Sequence, residues 1–233
     1  MLFVLLATMV FIPGGKFQMG SDASQIASKY ASAGPGMRGM LKAESPRITV
    51  SVEPFYIDKF EVTNEQFLNF TRQHPEYSSK TWAGGADGPV THVTWYAAKA
   101  YCAWQYKRLP TEAEWEFAAR GGNAAAEYPW GADLPDPQKA NFEAAKVGSP
   151  VSVGRYPPNG YGVYDMAGNV WEFTADNWKD THDAPEAATV GSRKVIRGGS
   201  FGADPLQLRV TFRDSHKPDD PVPHVGFRCV RSN

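Results

Sequence analysis

Two carboxylates on either side of a turn are the residues of this sequence best suited to chemistry. They are Asp165 and Glu172, and the segment between them contains Gly168 and Asn169. A turn of this kind can bring both side chains and the intervening backbone carbonyls to one point, and calcium binds about six to eight such oxygens. The segment therefore predicts a calcium site. The structural alternative is a turn in which Asp165 only caps the backbone.

The histidines and arginines give weaker signals. The five histidines lie in separate segments without the i,i+4 pairing of a helical zinc site, although His216 and His224 are close enough in sequence to converge. The remaining histidines are His74, His92 and His182. Three arginines, Arg197, Arg209 and Arg213, could either surround a cleft or pair with surface aspartates. The sequence has no Gly-x-Ser-x-Gly nucleophile elbow and no Walker loop.

Composition limits the protein class that these residues can serve. The chain has 233 residues, with 24 Lys and Arg against 25 Asp and Glu. That balance excludes a strongly basic nucleic-acid surface and a highly charged disordered tail. The 22 Gly and 18 Pro exclude long regular helices, and the seven Trp indicate a loop-rich fold anchored by large aromatic side chains. We expect one α+β domain.

Strand patterns lie mainly in the first and last parts of the chain. Residues 10–20 read as a strand, a Pro-Gly-Gly turn and a second strand. Residues 47–57 alternate between apolar and polar types and predict one half-buried strand. A final strand is predicted over 226–230. Residues 21–46 have weak periodicity and predict a long surface loop with room for a short helix.

Three helices are predicted, each opened by a capping threonine. Thr63 and Thr111 begin capping-box patterns, and Thr94 precedes the helix between them. The first helix should bury Phe67, Leu68 and Phe70. The second and third helices are predicted over 95–106 and 112–120.

The N-terminal segment is apolar from residue 1 to residue 12 apart from Thr8. A helix of that length spans about 18 Å, which is less than the roughly 30 Å of a bilayer core. It lacks a preceding charge and a clear cleavage site, so it is an incomplete signal peptide. A buried first strand, a signal remnant and a hydrophobic contact to a partner or membrane all remain open. We divide the chain into an apolar extension over 1–8 and a domain over 9–233, and we expect residues 1–7 to make any membrane contact.

Several sequence blocks together resemble one known family. They are VFIPGGKFQMGSD, FYIDKFEVTNEQF, KRLPTEAEWEFAARGG, YPPNGYGVYDMAGNVWEF, VIRGGSF and the terminal VGFRCV. In this order, and over nearly the whole chain, they resemble the formylglycine-generating enzyme family, also called the sulfatase-modifying factor domain. The resemblance implies a compact fold with little regular secondary structure, related to C-type-lectin-like architecture. It does not alone imply the activity.

The resemblance also locates the family's copper site. Active members carry two cysteines after the Gly-Gly-Ser block that bind copper(I) and oxidise a cysteine of a sulfatase peptide. Here those positions correspond to Ala203 and Leu208, in a cleft that would include Trp171 and Ser200. Copper(I) needs soft sulfur ligands, which Ala and Leu do not offer. Copper binding and formylglycine formation are therefore not expected.

Other family features do match. The resemblance implies a disulfide between Cys102 and Cys229, and this bond would place the protein outside the cytoplasm. The alternative is a pair of reduced, buried cysteines. The resemblance also implies that calcium is bound by the side chains of Asp165 and Glu172 and by the carbonyls of Gly168 and Val170.

These expectations favour a non-oxidase member of the family that acts as an extracytoplasmic binding protein or accessory subunit of a larger complex. A protein partner is expected, and nucleic acid is not. The alternative is an enzyme of altered chemistry that tailors a peptide or metabolite oxidatively.

Overall fold

The chain was analysed as a computed structural model. It describes residues 8–22, 24, 25, 28, 35–78, 84–182 and 193–233. Residues 1–7, on which the predicted membrane or partner contact depends, lie outside the described residues. No helix in the described ranges is long and apolar enough to cross a membrane.

Nine short strands form three sheets among the described residues. The strands are β1 (Met9–Ile12), β2 (Gly15–Met19), β3 (Ile48–Val52), β4 (Phe55–Asp58), β5 (Trp171–Asn177), β6 (Lys194–Arg197), β7 (Arg213–His216), β8 (Val225–Gly226) and β9 (Val230–Ser232). The sheet orders are β1-β4-β9, β2-β3 and β7-β6-β5-β8. All pairings are antiparallel except β5 with β8.

The described ranges include four α-helices and three 3₁₀ turns between the strands. The helices are α1 (Pro35–Lys42), α2 (Asn64–Thr71), α3 (Trp95–Trp104) and α4 (Glu112–Ala119). The 3₁₀ turns cover Pro75–Tyr77, Glu143–Ala145 and Pro205–Leu208. The domain is compact and α+β, as predicted.

The predicted single strand over 47–57 is wrong. It is two strands in different sheets, because Pro54 has no N–H to continue the ladder. Pro13 interrupts the opposing part of the chain at the same place. Ile12, before it, pairs with Phe55 in one sheet, and Gly15, after it, pairs with Val52 in the other. The predicted final strand over 226–230 is also divided, between β8 and β9.

Helix capping agrees with the sequence patterns. The hydroxyls of Thr63 and Thr111 accept hydrogen bonds from the backbone N–H groups of Gln66 and Glu114, and both capping boxes are complete. Thr94 caps α3 through the N–H of Ala97. The predicted helix starts are therefore confirmed, with ends one or two residues earlier than expected.

The predicted surface loop over 21–46 is partly wrong. Leu41 and Glu44 are fully buried, and Ser21 is 8% exposed. Leu41 packs in the apolar cluster that includes Phe67 and Phe227. The end of this segment is therefore part of the core, because an amphipathic helix turns Leu41 inward.

The pairing with surface aspartates expected as one alternative for Arg197, Arg209 and Arg213 is wrong. All three are almost completely buried and pair with glutamates of other segments. Arg197 bonds Glu116 at 2.5 Å, and Arg213 and Arg209 bond Glu112 and Glu44 at 2.7 Å. Glu112 and Glu116 lie one turn apart on α4, so these pairs attach that helix to β6 and β7.

Cys102 and Cys229 form a disulfide in the structure. It joins α3 to the segment before β9, and the two cysteines are separated by 127 residues in sequence. Both are fully buried. A link across so long a loop removes much of the conformational freedom of the unfolded chain.

Replacing both cysteines (Cys102→Ala with Cys229→Ala) should lower the free energy of unfolding by up to about 5 kcal/mol. Urea denaturation with and without reductant measures the loss. Reductant should destabilise the native protein and leave the double variant unchanged. Equal stability of the oxidised native protein and the variant would contradict the link.

Candidate functional site

Ala203 and Leu208, which the resemblance assigns to the family's copper positions, lie in an apolar cluster. Ala203 is 2% exposed and Leu208 is fully buried, and both pack with aromatic residues of the 128–142 region. Gly199 brings them together, because a Cβ at this position would meet Leu208 Cδ2 at 2.8 Å and Ala203 Cβ at 3.1 Å. Among the atoms of these two side chains there is no metal ligand.

The other two predicted cleft residues are buried as well. Ser200 is 5% exposed, and its carbonyl accepts a hydrogen bond from the N–H of Ala203 at 2.9 Å. Trp171 belongs to a different apolar cluster and packs on Phe212, with ring centroids 6.0 Å apart. The structure therefore groups Ser200, Ala203 and Leu208 and places the Trp171 ring in the neighbouring core.

The predicted calcium segment is a strained turn leading into β5. Asp165 and Asn169 have φ values of 56° and 61°, in the left-handed region, and Gly168 has φ 80°. The Gly168 Cα lies against the backbone of Asn141, where any side chain would collide. Non-glycine residues in this region are uncommon and cluster at functional sites.

Asn169 connects the turn to buried polar groups. Its Oδ1 accepts hydrogen bonds from the N–H of Val151 at 2.9 Å and from Asn141 Nδ2 at 3.2 Å. Its Nδ2 donates to Glu61 Oε2 at 2.7 Å. The N–H of Val170 donates to the other oxygen of Glu61 at 3.3 Å. The two carboxylate oxygens of Glu61 thus accept hydrogen bonds from two successive residues of the turn and hold it in place.

Glu172 is occupied by protein donors. Arg228 contacts it with two nitrogens, at 2.6 Å and 2.7 Å, and Trp115 Nε1 donates to the same carboxylate at 2.8 Å. Arg228 and Glu172 are both fully buried. The remaining nitrogen of this guanidinium donates to the carbonyls of Asp58 and Lys59.

Glu61 and Asp165 have no ion-pair partner in the part of the chain that the structure describes. Burial, with the nearby carboxylates of Asp165 and Glu172, raises the pKa of Glu61 well above its usual range. Burial raises the pKa of Asp165 to about 6, although the N–H of Gly154 donates to it at 2.6 Å. Three buried carboxylates thus share the charge of one guanidinium, that of Arg228.

This acidic group is compatible with a cation in its charge and its oxygen donors. Asp165, Glu172 and Glu61 provide carboxylates, and the buried Oδ1 of Asn141 accepts no hydrogen bond from the described residues. No three His, Cys, Asp or Glu side chains within the described ranges are arranged as a metal site. A calcium site here would therefore depend on backbone carbonyls as well, as the set with Gly168 and Val170 does.

His216 and His224 do converge, with ring centroids 6.4 Å apart. His216 Nε2 lies 2.8 Å from the carbonyl of Asp220, which can only accept, so this nitrogen carries a proton. Burial lowers the pKa of His224, and the charges of His216 and His92 lower it further. The carbonyl of His224 accepts the N–H of Trp171, so the cluster adjoins the start of β5.

Sequence reasoning missed Glu61 and Arg228. Both lie inside quoted blocks, FEVT and GFRC, where each is a single charge among apolar neighbours. A lone charge in an apolar run signals a buried charge in need of a partner.

Both the sequence and the fold of the chain are similar to those of known proteins. Residues 4–233 match the family described as "Sulfatase-modifying factor enzyme 1-like domain". The chain belongs to this family. It is 32% identical to the formylglycine-generating enzyme of Mus musculus, over 97% of this chain and 75% of that protein. It is 35% identical to the inactive C-alpha-formylglycine-generating enzyme 2 of Bos taurus, over 95% of this chain and 87% of that protein.

The family fold is also found among solved structures. PvdO from Pseudomonas aeruginosa superposes with a TM-score of 0.77 at 28% identity, covering 97% of this chain and 94% of that one. The sulfatase-modifying factor family thus includes relatives named as enzymes and relatives named as inactive. Membership alone does not decide between them, and the decision depends on the site residues.

Replacing Arg228 with methionine removes the cation from the acidic group at similar volume. We expect a loss of about 3–5 kcal/mol in the free energy of unfolding near neutral pH, because Glu172 becomes an unpaired buried charge. Without Arg228, the folded-state pKa values of Glu61 and Asp165 rise further above their unfolded values, because the charge of this guanidinium lowers both. Stability of the variant should then fall as pH increases above about 4.5.

Urea denaturation at several pH values, in excess chelator, measures this effect. Arg231→Met is the matched control, since Arg231 is half-buried on β9 beside the ring of Tyr56. It should change stability by less than about 0.5 kcal/mol. Equal losses in the two variants, or a loss independent of pH, would refute the role of Arg228.

Proposed function

We propose that this member of the family has lost copper(I) oxidase chemistry and acts as an extracytoplasmic binding protein or accessory subunit of a larger complex. The observation that carries the proposal is the pair Ala203 and Leu208. They occupy the positions of the family's copper ligands, offer no sulfur, and pack in an apolar cluster.

The cysteines support the same proposal. The chain has two, and both are used in the disulfide between Cys102 and Cys229. No thiolate is then left for copper or for attack on a substrate. A buried structural disulfide is also typical of oxidising compartments, which supports a location outside the cytoplasm. The 35% identity to a protein named as inactive agrees with a non-oxidase role.

Binding to a partner is the role that such a scaffold can retain. Its core is fixed by buried ion pairs and a disulfide, while loops cover much of its surface, and this arrangement suits recognition. The apolar residues 1–7 are a further candidate contact to a partner or membrane.

An enzyme of altered chemistry is the second candidate, and the histidine cluster favours it. His224 lies beside the start of β5, and its lowered pKa keeps the imidazole neutral at physiological pH. A neutral imidazole can act as a general base. The same peptide experiment, described below, tests this candidate together with the first.

We also propose that the acidic group binds calcium. Asp165 and Glu172 would contribute carboxylate oxygens, and Gly168 and Val170 would contribute carbonyls. Calcium would supply positive charge that the single guanidinium of Arg228 does not, and so stabilise the turn before β5. The role is structural, and no reaction step depends on it.

The oxidase prediction is tested with purified protein, copper(I), oxygen and a sulfatase-type cysteine peptide. Intact-mass measurement of the peptide should show no formylglycine, and copper(I) should not bind stoichiometrically, because the cleft lacks sulfur ligands. The mouse formylglycine-generating enzyme serves as the positive control. Aldehyde above the no-protein background would overturn the proposal, and a different mass change would support the enzyme of altered chemistry.

The calcium prediction concerns thermal stability. Excess chelator should lower the melting temperature, since a ligand at about 100 times its Kd stabilises the folded state by about 2.7 kcal/mol. Asp165→Asn should abolish the difference between calcium and chelator. Asp136→Asn, at an exposed position, should preserve it. Identical melting curves for the native protein in both conditions would count against the site.

A further inference from the structure

A cavity of about 680 Å³ lies on the surface away from the inherited cleft. It is bounded by the two-stranded β2–β3 sheet on one side and by the loop after α4 on the other. None of Trp171, Ser200, Ala203 and Leu208 lines it. Its volume is within the range of small-molecule sites, about 300–1,000 Å³.

The floor of the cavity is a buried and fixed polar surface. Arg209, 4% exposed, contacts Glu44 with two nitrogens at 2.7 Å and 2.8 Å. The same guanidinium donates to the hydroxyls of Thr211 at 2.9 Å and Ser21 at 3.3 Å. Groups held in this way do not need to be ordered when a ligand binds.

One wall is fixed by a second buried arginine. Arg120 donates to the carbonyls of Ala124 and Ala126, at 3.0 Å and 3.3 Å, and so holds the loop in place. Its other nitrogens bond Glu116 at 2.7 Å and 3.2 Å. The loop therefore presents a preformed surface to the cavity.

The cations available to a ligand lie at the mouth of the cavity. Arg120 and Arg209 are already paired with Glu116 and Glu44. On the side of the β2–β3 sheet, Lys16 and Arg47 are exposed. The described residues place no carboxylate within ion-pair distance of Lys16.

Arg47 is held only weakly. It pairs with Asp22 at 3.6 Å and donates to Gln25 Oε1 at 3.1 Å. The Arg47 and Asp22 side chains are more than a third exposed and the Gln25 contact is exposed as well, so these contacts contribute little and a ligand can replace them. Among the described residues of the lining, Glu127 is the carboxylate, and it lies 3.6 Å from Arg209 Nε. The mouth therefore favours an anion.

The interior offers apolar contact. The ring of Phe17 lines the cavity, with the Arg120 guanidinium 5.9 Å from its centroid and the Phe117 ring edge-on at 5.2 Å. Ala124, Ala125 and Ala126 line the opposite wall. An apolar body between Phe17 and these alanines would replace water at both surfaces.

We propose that this cavity binds a small organic acid. Its carboxylate lies at the mouth between Lys16 and Arg47, where a guanidinium can bind both oxygens, and its apolar part lies between Phe17 and the alanine wall. This ligand site goes beyond the role proposed for the chain and is independent of copper or calcium.

The site adjoins the inherited cleft through one chain segment. Leu208 and Val210 enter apolar clusters, whereas Arg209 and Thr211, between and after them, enter the cavity floor. The alternation means that Leu208 packs beside Ala203 while the next residue, Arg209, lines the cavity.

Isothermal titration calorimetry of the full chain tests the proposal with 3-phenylpropionate, succinate, inorganic phosphate and neutral 3-phenylpropionamide. We expect 3-phenylpropionate to bind at least about tenfold more tightly than the amide, because the amide lacks the charge that Lys16 and Arg47 recognise. It should also bind more tightly than phosphate, which has no apolar part.

The double variant Lys16→Gln with Arg47→Gln should weaken binding of 3-phenylpropionate about tenfold or more. Both residues are exposed, so the fold should be preserved, which the melting temperature verifies. Arg72→Gln with Lys217→Gln is the control, with the same change in net charge at exposed sites outside the cavity. It should change affinity by less than about twofold.

Four outcomes would overturn the proposal, three of which concern the carboxylate. Those three are no heat of binding with either carboxylate, equal affinity for the acid and its amide, and equal loss in the two double variants. Binding of phosphate at least as tight as that of 3-phenylpropionate would also overturn it, because the site would then be a general anion site.

Discussion

Buried arginines paired with buried carboxylates are the constraint on which this structure depends. A fold with so many loops must bury backbone carbonyls that no helix or sheet satisfies, and each unsatisfied carbonyl is costly. Arg197 donates to the carbonyls of Val210, Thr211 and Phe212, and Arg228 donates to those of Asp58, Lys59 and Tyr164. A guanidinium suits this task because it holds five N–H donors in a fixed plane. Its charge must then be neutralised, and Glu116 and Glu172 do so.

These buried pairs support the fold independently of the residues at the proposed copper positions. The pairs that support the chain around β5, β6 and α4 do not include Ala203 or Leu208. Apolar side chains at those positions fill the interior beside Tyr128 and Phe142. The copper ligands can thus be absent without loss of a structural interaction. Scaffold and site are physically separate, and for this reason a shared fold leaves the activity of a member undecided.

The same feature separates what could be predicted from sequence and what could not. Capping boxes are local, so Thr63 and Thr111 mark helix starts correctly. The break at Pro54 was also local, but alternation on both sides of it suggested one strand. Arg209 and its partner Glu44 are 165 residues apart, and no local pattern joins them. Charge in a sequence suggests surface, and burial is decided by a partner that only the fold brings near. Glu61 and Arg228 were overlooked for this reason.

Trp115 lies where two unlike charged regions meet. Glu172 and Arg197 are register partners on β5 and β6, yet each bonds a different residue. The indole of Trp115 donates to Glu172, and its ring lies 5.3 Å from the Arg197 guanidinium.

On the Arg197 side, the glutamates of α4 each bond a guanidinium. On the Glu172 side, Glu61 and Asp165 share the one guanidinium that Glu172 already binds. If Glu172 and Arg197 paired with each other, Arg228 would lose its only close carboxylate among the described residues, and Glu116 would keep Arg120 alone. By contacting both, Trp115 separates the α4 network, where guanidinium groups outnumber Glu112 and Glu116, from the excess negative charge at the turn before β5. The proposed calcium ion would therefore lie on the negative side of Trp115, at the turn, and not beside α4, where positive charge is in excess.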